Sequence, residues 1–309
     1  GKLSKRNRDE QIAGSRVEVA PFKKDPADFV LWKPSNDEQP GWNSPWGYGR
    51  PGWHTECSAM SEKTLGLPFD IHGGGRDLTF PHHENEIAQS CCSSAGTSDP
   101  KSYVNYWMHN GFVTVNGEKM SKSLGNISLV KDLTEDNHGE VIRLSLLSSH
   151  YRQALDWNDK VVHQAKKLLD KLYKVLSDLK DIKPSEINES SMSIISPLLD
   201  DLNTPGLLAN LNKMIKEFKN ISDKDLPEFK SKLLLANELM GICQEDYLDW
   251  FNHDKEGLDT NMIDALILER LDAKKNKNFD KADSIRQQLL DMNIEIKDTE
   301  SGTDWTLKV

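Results

Sequence analysis

The stretch Pro68-Phe69-Asp70-Ile71-His72-Gly73-Gly74-Gly75-Arg76-Asp77-Leu78-Thr79-Phe80-Pro81-His82-His83-Glu84-Asn85-Glu86 decides the fold class. Its first five residues read as a short buried strand, because aromatic and β-branched side chains suit a pleated, packed surface. Gly73-Gly74-Gly75 stops that strand, since glycine is the default residue of tight turns. Pro81 then opens a helix to about Ser93, proline being tolerated in a first helical turn whose N–H groups have no partner anyway. Tyr106 to Val115 reads as a second strand. Ser128 to Leu147 has helical spacing with a loop-like interruption at Asp136-Asn137-His138-Gly139. Strand, helix, strand and helix in that order argue for part of an α/β domain.

On the N-terminal side, Asn36 to Gly52 carries Pro40, Gly41, Pro45, Gly47, Gly49, Pro51 and Gly52. No regular helix survives that density of breakers. Trp32, Trp42, Trp46 and Trp53 predict an ordered loop pinned by aromatic side chains. From Asp159 onward the pattern turns helical. Val161, Val162, Ala165, Leu168, Leu169, Leu172 and Leu176 form an amphipathic stripe. Further helical stretches run from Ser196 to Phe218 and from Leu226 to Trp250, which predicts an antiparallel bundle. After His253-Asp254-Lys255-Glu256-Gly257 comes a small α+β unit. It has helices about Met262–Lys275 and Asp280–Met292, then strands Ile294-Glu295-Ile296 and Trp305-Thr306-Leu307 joined by a turn at Glu300-Ser301-Gly302-Thr303. The resulting divisions are residues 1–65, 66–158, 159–253 and 254–309.

Composition narrows the class. With 309 residues, 37% hydrophobic and 28% charged, the chain is globular rather than disordered. Its apolar runs are too short to span a bilayer, and no apolar stretch follows the basic first residues, so no signal peptide is read and the expectation is cytoplasmic. A net charge of −10 argues against a uniform basic field for nucleic acid. It leaves room for two local patches. Residues 1–24 hold seven Lys/Arg against three Asp/Glu. Lys274, Lys275, Lys277, Lys281 and Arg286 form the other. Four cysteines are too few and too irregular for a disulfide framework. Vicinal Cys91 and Cys92 read as small buried residues.

Three groups of residues carry chemistry. Lys119-Met120-Ser121-Lys122-Ser123 is a cationic loop after a strand and a turn. On composition alone it reads either as a surface loop or as a neutraliser of polyphosphate charge. His82 and Glu86, at i and i+4, project from one helix face, with His83 about 100° away. With Cys57 they offer thiolate, imidazole and carboxylate, all acceptable zinc ligands, although Cys57 reads equally well as a core residue. Gly73-Gly74-Gly75-Arg76-Asp77 is either a plain turn or a close backbone approach to a ligand, with Asp77 available to ribose hydroxyls.

Lys119-Met120-Ser121-Lys122-Ser123 resembles the signature loop of class I aminoacyl-tRNA synthetases. Gly52-Trp53-His54-Thr55-Glu56-Cys57-Ser58-Ala59-Met60 and His72 through Glu86 resemble motifs of the cysteinyl-tRNA synthetases. Phe279–Asp283 and Ile294–Trp305 resemble the end of that family. The resemblance covers nearly the whole chain. It implies the second half of a class I Rossmann-like catalytic domain carrying the lysine loop, then a tRNA-binding helical bundle, then a small anticodon-binding unit. It implies one Zn2+ per chain held by Cys57, His82, Glu86 and a fourth ligand, binding the thiolate of L-cysteine directly. It further implies Trp53 and His72 against the substrate, Asp77 and His72 toward ATP, and Lys119 and Lys122 as catalytic, with Lys122 on the phosphates. Mg2+ is expected with ATP, and the partner is tRNA with the cysteine anticodon, bound by a monomer with no membrane association. The family's His-Ile-Gly-His-type motif and first zinc cysteine are not in this sequence, so the chain by itself is expected to be inactive. Two other readings stand beside this one: a related ligase joining cysteine to an amino sugar, and a standalone tRNA-binding module. The roughly 150 residues after Asp159, a domain's worth, favour the synthetase.

Overall fold

The computed structural model describes residues 1–14, 23–97, 99–121, 123–253, 260–292, 294–299 and 302–307. It falls into two compact units, Gly1–Lys119 with Tyr151–Asp156, and Met120–His150 with Trp157–Val309. The segment 66–158 is therefore divided between the two, Met120–His150 joining the helical residues.

The first unit begins with helix α1 (Arg8–Gly14). Strands β1 (Trp32–Pro34) and β2 (Gly49–Pro51) pair antiparallel, Trp32 opposite Pro51. The Pro/Gly-rich segment between them is ordered, and aromatic rings take part: half-buried Trp32 lies with its ring 6.3 Å from that of Trp46, although Trp42 and Trp46 are themselves 59% and 77% exposed. The backbone and Arg50 add to this order. Trp42 N donates to Gly49 O at 2.7 Å and Gly49 N to Trp42 O at 3.0 Å. The Arg50 guanidinium donates to Pro34 O, Ser35 Oγ and Gln39 Oε1.

Helix α2 (Trp53–Leu65) starts where the breakers end. The sequence pattern gives no sign of it, because Ser58 is its one buried residue and there is no apolar stripe to detect. Strands β3 (Phe69–Gly75) and β4 (Val104–Asn110) are parallel, joined through helix α3 (His82–Ser90). Phe69 lies opposite Val104, His72 opposite Trp107 and Gly75 opposite Asn110. The three glycines thus continue the strand instead of stopping it. They permit close approach: a Cβ on Gly74 would stand 3.0 Å from His83 Cε1. Phe69, Ile87, Cys91, Tyr103 and Val104 form this unit's core. Cys91 is buried as expected; Cys92, in the π-helical turn that follows α3, is exposed. The expected strand 106–115 is interrupted at Gly111, where a Cβ would lie 2.0 Å from Gln153 O. Past that break, β5 (Val113–Val115) pairs antiparallel with β6 (Glu118–Lys119). Asp156 Oδ1 accepts from Thr114 Oγ1 and Gly117 N, each at 2.7 Å, and fixes the turn.

The second unit is helical: α4 (Val130–Asp136), α5 (Gly139–Leu147), α6 (Asp159–Asp178), α7 (Glu189–Met192), α8 (Thr204–Glu217), α9 (Leu226–Met240) and α10 (Tyr247–His253). The stripe read from sequence is the buried face of α6, with Ala165, Leu169, Leu172, Tyr173 and Val175 inside. They share one core with Leu207 and Leu211 of α8, Leu233 and Ala236 of α9, and Trp250 of α10. The expected helix 226–250 is two helices, parted at Gly241 in the left-handed region. Buried Glu140 fixes that joint, accepting from Cys243 N, Gln244 N and the Tyr173 hydroxyl.

Helices α11 (Thr260–Lys275) and α12 (Phe279–Asp291) and the hairpin β8 (Ile294–Thr299) with β9 (Gly302–Leu307) complete the chain. Their core is Ile263, Ile267, Ile285, Leu289 and Ile294. Residues 254–257 of the expected linker and Glu300 and Ser301 of the expected turn lie outside the described residues. Among the described residues, no helix is long and apolar enough to cross a membrane.

Candidate metal and substrate site

Helix α2, strand β3 and helix α3 bring five of the sequence-read residues into the first unit's site: Trp53, Cys57, His72, His82 and Glu86. A sulfur of Cys57, a ring nitrogen of His82 and a carboxylate oxygen of Glu86 all lie within 4.8 Å of one another. The i, i+4 spacing on α3 places His82 Nε2 2.6 Å from Glu86 Oε1. The Trp53 ring, itself mostly exposed, stacks on His82 with centroids 4.1 Å apart.

Glu86 is fully buried. Its Oε2 accepts from the Tyr103 hydroxyl at 3.1 Å and faces His72 Nε2 at 3.3 Å. Oε1 has no hydrogen-bond partner despite the closeness of His82. Burial opposes the charge on Glu86; the short contact with His82 and the fields of His82, His72 and His83 outweigh it and hold its carboxyl below the usual range. The Cys57 thiol goes the other way, pushed up to about 11 by burial and then by the negative charge of Glu86. A neutral thiol beside a buried carboxylate with an orphaned oxygen is a donor set short of one positive charge. A divalent cation held by these residues would supply it and would favour the thiolate. The donor chemistry, one sulfur, one imidazole and one carboxylate, fits zinc.

Sequence reading missed the residues that orient these ligands. His54 Nδ1 lies 2.6 Å from His82 Nδ1, so both nitrogens of His82 have close partners. His83, about a third of a turn away, packs on a separate group: His72, Trp107 and His109. Its Nδ1 stands 2.9 Å from His109 Nε2. Burial, then His72, push its imidazole down to about 3, so it is neutral. Tyr103 and His109 lie outside every motif and left no signal; His54, one turn before Cys57, was legible as a same-face neighbour.

Asp77 is exposed in the 3-10 turn Arg76–Thr79 that follows β3, and Lys119 is exposed at the end of β6. Lys122 lies outside the described residues. In the second unit the loop bonds to itself: Ser121 N donates to Asn126 Oδ1 and Leu124 N to Ser121 Oγ.

Residues 1–167 match the family described as tRNA synthetases class I (C) catalytic domain. A cysteine–tRNA ligase of Xanthomonas campestris is 50% identical over 306 residues, 99% of this chain and 66% of that protein. One from Parvibaculum lavamentivorans is 50% identical over 309 residues, covering 99% and 65%. One from Caulobacter vibrioides is 47% identical over 312 residues, covering 100% and 66%. The chain thus spans about two thirds of the length of the curated relatives it matches.

Proposed function

The chain belongs to the family of class I (C) tRNA synthetases, and from that premise we propose that it is the part of a cysteine–tRNA ligase that selects cysteine and binds tRNA. The observation that carries this reading is the convergence of Cys57, His82 and Glu86 within 4.8 Å. These three residues would hold Zn2+, with a position left for substrate. Bound there, the ion supplies selectivity: a soft thiolate is a preferred zinc ligand, whereas a hydrophobic pocket separates thiol from hydroxyl poorly. The protein's own residues do the rest. His54 orients His82 through Nδ1, Tyr103 orients Glu86, and the Trp53 ring walls the side of His82. His72, 3.3 Å from Glu86, faces the substrate amino acid and ATP. Asp77, in the turn after β3, receives the ATP ribose, as acidic residues do in nucleotide folds. Lys119 and Lys122 neutralise phosphate charge as the cysteine carboxylate attacks the α-phosphate of ATP and the α–β phosphoanhydride bond breaks, giving cysteinyl-adenylate and releasing pyrophosphate, Mg2+ accompanying the nucleotide. The bundle and terminal unit bind tRNA, the latter reading the anticodon.

The test is calorimetric titration of the zinc-loaded chain with L-cysteine and with L-serine. Cysteine binding about ten-thousandfold tighter than serine supports the reading, the size expected when a site is built to bond a group that its competitor lacks. A preference of about a hundredfold or less, which a plain hydrophobic pocket reaches, would refute it.

A further inference from the structure

Glu86 belongs to two triads. Besides Cys57 and His82, it groups with His72 and His83, one ring nitrogen of each histidine and a carboxylate oxygen lying within 4.8 Å of one another. The two oxygens divide between the groups. Oε1 is turned to His82 at 2.6 Å, and Oε2 to His72 at 3.3 Å. The Tyr103 hydroxyl also reaches Oε2, at 3.1 Å, which leaves that oxygen a second lone pair. His83 and Glu86 are buried, and the His72 side chain is 14% exposed. His83 Nδ1 meets His109 Nε2 at 2.9 Å. When Nδ1–H donates to His109, Nε2 of His83 carries a bare lone pair, the arrangement by which an outer partner fixes a metal-binding imidazole. His109 is itself held by parallel stacking on Trp107. His72 keeps a buried Nδ1 with no hydrogen-bond partner. Two imidazoles and a carboxylate with a free position make a site for a borderline divalent cation, with no sulfur in it.

We propose that His72, His83 and Glu86 form a second metal position, taking Zn2+ or a cation of the same class, with Glu86 shared between it and the Cys57 triad. The proposal rests on the zinc reading of Cys57, His82 and Glu86 only for the sharing of that carboxylate. Its consequence is regulatory. A cation there ties down His72, which faces the substrate, so zinc beyond one equivalent competes with cysteine binding.

Titration of the untagged, metal-free chain with Co2+, followed by optical absorption, separates the two positions. The wild type should take two equivalents. The first brings a thiolate-to-cobalt charge-transfer band; the second adds ligand-field absorption alone. His83→Gln should weaken the second equivalent at least about tenfold and keep the first with its band. Cys57→Ser should lose the band and keep a sulfur-free equivalent. Should His83→Gln not fold, His72→Asn gives the same reading. Saturation of the wild type at one equivalent with the thiolate band overturns the second position and leaves the cysteine-selecting site standing. A second equivalent unchanged in both His83→Gln and His72→Asn overturns it too. Two sulfur-free equivalents in the wild type would instead sink the zinc reading of Cys57.

Discussion

Tyr103 is the residue on which Glu86 leans, and it is fully buried. Its phenol makes one hydrogen bond to Glu86 Oε2, and the same charged neighbourhood, after burial itself, pushes the phenol's own ionisation well above its ordinary range. Tyr103→Phe keeps the ring in the core beside Phe69 and removes the hydroxyl, with its bond to Glu86 and its side-chain interaction with Ser61. The expected loss of stability is about 1.5–3 kcal/mol, the worth of a hydrogen bond to a charged group. Zinc affinity is expected to fall about tenfold, because the partner that orients a ligand is lost while the ligand stays. Competition against a chelator, beside thermal unfolding, reads both; unchanged zinc affinity would show that Tyr103 only packs. Lys122 poses a different question at the same scale. In a chain of the relatives' full length, Lys122→Ala should slow cysteine activation far more than it weakens cysteine binding, since charge on the phosphates develops in the transition state. Equal losses in both would deny it that role.

The terminal hairpin shows how one ion cluster joins separate elements. Asp298 of β8 accepts from Arg270 Nη1 at 2.9 Å, Arg270 Nη2 at 3.1 Å, Lys274 Nζ at 2.6 Å and Thr303 Oγ1 at 2.8 Å. These bonds, Arg270 first, hold the Asp298 carboxyl far below its ordinary value. A depressed carboxyl stabilises the fold above the unfolded value of 3.8 and loses that contribution as pH falls below it. The carboxylate is half-exposed, so solvent screening trims its worth, but the Arg270 side chain is only 6% exposed. Asp298→Asn leaves that guanidinium without its counter-charge and should cost the α11–hairpin docking about 2 kcal/mol at neutral pH. Amide exchange in β8 and β9 is the measure: it should quicken in the variant at pH 7, and the gap should narrow as pH falls below 3.8 without closing at pH 3, where the folded wild-type carboxylate is still charged. Equal protection at pH 7 would refute the argument. None of this cluster shows in the sequence, because Arg270, Lys274 and Asp298 meet through tertiary structure. Legible elements were those with a period to read: the α6 stripe, and the strand–helix pair carrying His72, His82 and Glu86. Helix α2 was invisible because it buries almost nothing. Gly73-Gly74-Gly75 was misread because glycine marks both a turn and a strand that another ring must approach, and here His83 is that ring. The ligand triad was legible from residue type and spacing; its supports, Tyr103 and His109, come from β4 and its threshold, where position alone recruits them.

At the scale of the whole molecule, a net charge of −10 must be reconciled with binding a polyanion. Local contacts, not a global field, would have to select the tRNA. In the terminal unit some of the expected basic side chains are already engaged: Lys274 pairs with Asp298 and Lys281 with Glu269. Lys275, Lys277 and Arg286 are exposed and remain the better candidates for phosphates. Trp305 is half-buried against the small core, with its indole N–H donated to Asp264, which suits support more than base stacking; Phe279, at the start of α12, is 63% exposed. The relevant measurement compares the affinity of the chain for tRNA bearing the cysteine anticodon with that for the same tRNA carrying one altered anticodon base. A ratio of about 5–150 is expected, the 1–3 kcal/mol of one stacked or paired base. Phe279→Ala should shrink that ratio. Lys275→Ala, Lys277→Ala and Arg286→Ala should weaken both tRNAs alike and each lower the slope of log affinity against log salt by about 0.7–0.9. A chain ending at His253 should bind both tRNAs equally. If the shortened chain still discriminates, the anticodon is read elsewhere, and the terminal unit's basic residues serve only its own fold.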